Sequence, residues 1–131
     1  MPLITPLYAA LLGLLLVYLA LRIVNHRRSM RVSYGMGEDE RLARAIRAHG
    51  NLIEYAPLTL MLVFFVESLG GWSWFVHALG LTLLLGRCLH AHGMSSVPEK
   101  SNLHVLGMVL TFTSLITASL TIVGFWIIRL F

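Results

Sequence analysis

The chain has 131 residues, of which 57% are hydrophobic and only 12% charged, with ten Lys and Arg against six Asp and Glu. A soluble domain usually carries about a quarter of charged residues, so a soluble enzyme, a disordered tail and a disulfide scaffold are all excluded. The net charge of +4 does not mark a nucleic-acid surface, because most basic residues fall between Arg22 and Arg47 instead of covering a face.

Crossing a bilayer as a helix takes about 20 mostly apolar residues. Met1 to Leu21 carries no charge before Arg22. Its positive charges follow the apolar run, so it reads as a first span and not as a cleaved signal. Tyr34 to Glu40, with Gly35 and Gly37 and then three acidic residues, reads as a turn into a second helix. Ala48 to Val66 is long enough to span but holds Asn51 and Glu54. Ser68 to Gly86 is uncharged between Glu67 and Arg87, and Ser101 to Ile128 between Lys100 and Arg129. Residues 1–131 therefore form one all-α membrane domain, a four-transmembrane-helix bundle with helices over roughly 3–26, 42–69, 72–93 and 101–129. The lone Cys88 sits in an apolar segment, and no metal site is expected.

The loops after helices 1 and 3 share one side and hold Arg27, Arg28, Arg31, Arg41 and Lys100, while the turn from Glu67 to Trp74 has no Lys or Arg. The positive-inside rule places the basic loops in the cytoplasm and both termini outside, with Trp72, Trp74 and Trp126 at the outer interface.

Ionisable side chains inside a membrane cost about 2.5–3.5 kcal/mol on insertion scales and need a partner or a function. Arg44, Arg47, Asn51 and Glu54 fall within an arc of about 80° on helix 2, with Tyr55 on its margin and His49 on the opposite side. Arg87, His90 and Met94 share an arc of about 60° at the cytoplasmic end of helix 3, where Arg22, Asn25 and Arg27 close helix 1. One cationic pocket in the cytoplasmic half would collect them all. The bland alternatives are snorkelling for Arg22, Arg41 and Arg44, an internal ion pair between Arg47 and Glu54, packing roles for His77 and His92, and a cap or rim role for His104.

Guanidiniums hold carboxylates in a bidentate fork, and a carboxylate among them suits an ammonium group. Glutathione fits that inventory, as do other anionic peptides and lipid headgroups. The segment RAIRAHGNLIEYAPL, Arg44 to Leu58, resembles the signature of the MAPEG proteins, the membrane-associated proteins in eicosanoid and glutathione metabolism. It has Arg47, Asn51, Glu54, Tyr55 and Pro57 at the signature positions. RRSMRVS, Arg27 to Ser33, and GRCLHAHG, Gly86 to Gly93, resemble the family's helix 1 end and helix 3 motif.

The resemblance implies a homotrimer of four-helix subunits, with glutathione held between neighbours near the cytoplasmic face and a lipophilic small-molecule substrate drawn from the bilayer. It implies that Arg47, Asn51, Glu54 and Tyr55 bind the tripeptide, with Arg27, Arg87 and His90 as further contacts. Arg28 matches a catalytic arginine of the leukotriene synthases, and Lys100 is the other catalytic candidate. Two departures matter. Met94 stands where the eicosanoid enzymes often have Tyr, and near the start of helix 4 Lys100 and His104 stand where they have an Arg facing the thiolate. The implied activity is that of a glutathione transferase or peroxidase acting on lipophilic electrophiles. A catalytically silent binding or regulatory module of the same fold is the alternative. A small proton-coupled exporter would need a carboxylate in helix 1, and haem binding would need facing histidines at one depth. Short loops and compact length point to a bacterial inner-membrane member.

Overall fold

The computed structural model describes residues 2–35, 39–96 and 101–130. Four helices follow one another, α1 (Ile4–Met30), α2 (Glu40–Ser68), α3 (Ser73–Ser95) and α4 (Ser101–Leu130). All four are long and apolar enough to cross a membrane. Their order is antiparallel. Ile4, Val66, Val76, Phe75 and Ile122 pack at the end bearing the α2–α3 turn, so both chain ends lie there. We call this the turn end and the opposite one the arginine end.

Local chemistry sets the helix limits. α1 runs about a turn beyond the expected residue 26, carrying Arg27 and Arg28 in its last turn, where cations suit the unpaired carbonyls. Arg31 stops it in the left-handed conformation (φ 55°), and the Arg31 and Val32 N–H groups close onto the Arg28 and Arg27 carbonyls. α2 starts two residues before the expected 42, because Asp39 caps it by accepting from the Arg41 N–H at 2.6 Å. α3 reaches Ser95, two residues past the expected 93. Between α2 and α3, Gly70 adopts a positive φ of 92° that a side chain would resist.

Two apolar clusters fill the bundle. Leu12, Leu19, Leu52, Ala56, Leu83 and Ala91 pack from mid-bundle toward the arginine end, while Val63, Val66, Val76, Leu79 and Ala118 pack toward the turn end. Small residues bring α3 and α4 together, as is common among membrane helices. A Cβ at Gly86 would lie 2.8 Å from the Thr111 hydroxyl, and one at Gly107 would lie 2.6 Å from the Gly86 carbonyl and against the His90 backbone nitrogen.

Candidate functional site

Helix 2 carries the polar stripe, and tertiary packing splits it lengthwise. Asn51 is buried, and its side-chain amide donates to the Arg47 carbonyl at 3.3 Å. Tyr55 is half-buried, its ring edge-to-face with Phe112 at 5.5 Å. Arg47 and Glu54 lie on the other margin and form an ion pair of 3.1 Å across two turns, with side chains 60% and 46% exposed. The internal pairing of these two is therefore present within the chain. It is also open on one side, on a helix otherwise apolar enough to span a membrane.

Arg87 is the largest fully buried side chain among the described residues, 1% exposed on α3. Its Nε donates to the Thr111 hydroxyl at 2.9 Å, Nη1 to the Asn51 carbonyl at 3.2 Å, and Nη2 to the Met108 sulfur at 3.2 Å. The guanidinium carbon also lies 5.7 Å from the centre of the Tyr55 ring. Among the described residues it has no carboxylate partner. A cation held only by dipoles and a π-face is costly to bury, so each of these contacts offsets lost solvation. Arg87 thus ties α2, α3 and α4 together at the level of the stripe.

One turn further along α3, His90 is also buried, 2% exposed. Its ring meets that of His104 on α4, with centroids 4.9 Å apart and planes at 62°. His104, in the first turn of α4, is half-buried with its ring against a neighbouring helix. Spacing along one helix carries no signal for a contact between two, so the sequence did not disclose this pair.

The remaining candidates lie apart. Arg27, Arg28 and Arg31 line an open depression of about 420 Å³ with Val24, Val32 and Ser33. Arg28 is exposed, whereas the Nη1 atom of Arg27 is buried with no hydrogen-bond partner among the described residues. Arg44 bonds Glu40 through its Nε at 3.0 Å. Lys100 lies outside the described residues. Within the chain the expected single pocket is therefore three places: a buried Arg87–Asn51–Tyr55 knot, an exposed Arg47–Glu54 pair, and the α1 arginine depression. The 100° rotation per residue shows that these groups share a face, but not which way that face points.

The family model that matches this chain is that of the MAPEG family, over residues 5–124. The chain belongs to the MAPEG family. Two curated relatives are each 42% identical to it over 90 residues, 69% of this chain and 69% of theirs. Both are called inner membrane protein YecN, one from Escherichia coli strain K12 and one from Escherichia coli O6:H1. As a MAPEG protein with four spanning helices, the chain is an integral membrane protein whose outer surface meets lipid. The helix 2 signature of this MAPEG chain is where its packed polar knot and its exposed ion pair meet.

Proposed function

We propose that the chain is one subunit of a homotrimeric, glutathione-binding protein of the bacterial inner membrane, with both termini outside the cytoplasm. The observation that carries this reading is the Arg47–Glu54 pair, joined by Asn51 on the same turns of α2 and exposed at 60% and 46%. Lipid gives such a pair nothing to bond, so the face it occupies calls for a polar ligand and a second protein wall. A neighbouring copy supplies that wall with its own arginine end, including Arg27 and Arg28. In this arrangement the guanidinium of Arg47 takes a glutathione carboxylate and Glu54 takes the ammonium group, with Asn51 and Tyr55 beside them. Arg87 and His90 stand behind α2 as the inner lining. The basic residues of the arginine end support a cytoplasmic position for it, and the name of the YecN relatives supports the inner membrane.

The activity proposed is transfer of glutathione to lipophilic electrophiles, or reduction of lipid hydroperoxides, with Arg28 as the permanent cation facing the thiolate. Lys100 is the second candidate for that role. A binding module without turnover is favoured by one observation: between Glu99 and Leu110 the chain has Lys100 and His104 but no arginine.

Titration of the detergent-purified protein with glutathione tests the reading. Arg47→Ala and Glu54→Ala each break a charge contact, which typically costs about 2–5 kcal/mol and more than tenfold in affinity. His49→Ala, on the far side of α2, leaves binding unchanged. Equal binding by all three variants would overturn the site, and a monomeric mass in mild detergent would overturn the trimer. Turnover with an electrophile and with a lipid hydroperoxide then separates transferase, peroxidase and silent module.

A further inference from the structure

Cations crowded together at a membrane surface call for a counter-charge, and each acid among the described residues spends its carboxylate elsewhere. Asp39 accepts from the Arg41 N–H, Glu40 holds Arg44, Glu54 holds Arg47, and Glu67 caps α1. Arg27, Arg28 and Arg31 therefore have no carboxylate partner among the described residues, although all three line one depression of about 420 Å³. Arg27 lies in the last turn of α1 and Arg31 in its left-handed cap, and Val24, Val32 and Ser33 complete the hollow. The Nη1 atom of Arg27 is buried with no hydrogen-bond partner among the described residues. A buried donor left unpaired is costly, so the hollow holds an unmet demand for acceptor oxygens.

We propose that this hollow seats the phosphate of an anionic phospholipid from the leaflet at the arginine end. The site is independent of the glutathione reading, which leaves Arg31 and Ser33 unused. A phosphodiester presents two unbridged oxygens, and guanidiniums take such pairs in a bidentate fork. Arg28, Arg31 and Ser33 are exposed, so two further guanidinium forks and one hydroxyl are open to it. No acid lines the hollow. An ammonium-bearing headgroup has nothing there to pair with, whereas a headgroup ending in hydroxyls leaves the phosphate charge to the arginines.

The acyl chains have a path too. Val24, Leu21, Val17 and Leu14 lie within an arc of about 80° on α1, and all four are exposed. They cover about 15 Å along the helix, which is about half the hydrocarbon thickness of a bilayer. A chain hanging from the hollow runs along this stripe within one leaflet. Free phosphate gains nothing from the stripe, which is the reason to commit to a lipid. Basic hollows beside spanning helices hold anionic headgroups by this combination of charge and apolar contact.

Lipid retention tests the site. The full-length protein, purified in mild detergent, is offered phosphatidylglycerol or phosphatidylcholine at equal mole fractions, and native mass spectrometry counts the lipids retained. Each basic residue beside an anionic headgroup is worth about fivefold, so phosphatidylglycerol should be retained at least about tenfold better. Arg31→Gln should cut that preference about fivefold. Arg129→Gln, at the turn end, should keep it. Inorganic phosphate at millimolar concentration, the free-anion probe, should leave the bound lipid in place. Equal retention of the two lipids by the parent overturns the proposal, whether or not the variants fold. A preference unchanged in Arg31→Gln, or lowered as much in Arg129→Gln, also overturns it, because the attraction is then diffuse. Displacement of the lipid by inorganic phosphate leaves an anion site and overturns the lipid.

Discussion

The two ends of this bundle satisfy their polar groups in opposite ways. At the turn end, the Glu67 carboxylate of α2 accepts from the Leu3, Ile4 and Thr5 N–H groups at 2.7, 2.7 and 2.8 Å, and from the Thr5 hydroxyl at 2.6 Å. The α1 N-terminus has no cap of its own, so a residue 62 to 64 positions away does that work. Nearby, the Tyr8 hydroxyl meets His77 Nδ1 at 3.0 Å, and a Cβ at Gly80 would collide with the Tyr8 ring. That end closes within one chain. At the arginine end, by contrast, Arg47 and Glu54 face outward and the Arg27 Nη1 has no partner among the described residues. One end pairs its polar groups inside the chain, and the other leaves an ion pair facing outward.

The contrast can be broken in graded steps. Arg87→Ala should be the most damaging change, since it empties the largest buried volume of the bundle and costs about 3 kcal/mol by analogy with other large-to-small core substitutions. Arg87→Met fills most of that space without a charge and should cost about 1 kcal/mol or less. Thermal melts of both, followed by helical circular dichroism, would refute the cavity account if the two variants melted together. Gly107→Ala comes next. It forces α3 from α4 and costs about 2 kcal/mol, read as a lowered melting point.

Smaller effects sharpen the comparison. Glu67→Ala leaves the α1 N-terminus without its acceptor and should cost about 1 kcal/mol, the usual worth of a helix cap. Glutathione affinity should not change, and a loss of affinity in calorimetry would show that the two ends are coupled. Arg47→Ala and Glu54→Ala should do the reverse. Exposed ion pairs contribute about 0–1 kcal/mol to stability, so the unliganded variants should melt close to the parent while binding falls more than tenfold. A large drop in melting point with intact binding would make the pair a structural bridge instead of a ligand site.

Sequence by itself determined the number of helices, their spans and the family, because a membrane helix must be apolar for about 20 residues whatever its neighbours are. It also determined that Arg47, Asn51, Glu54 and Tyr55 share one face of α2, since helical rotation is a local property. The end of α1 was harder to place: arginines in a last turn look like a loop until the left-handed Arg31 shows where the helix stops. Only tertiary structure decided which margin of the α2 face turns inward. Three contacts on two neighbouring helices, α2 and α4, hold Arg87 buried beside Asn51 and Tyr55, and Arg47 and Glu54 are left outside. The Glu67 cap and the His90–His104 contact belong to the same class, because a contact between helices depends on their axial register and rotation, which no single helix's sequence encodes.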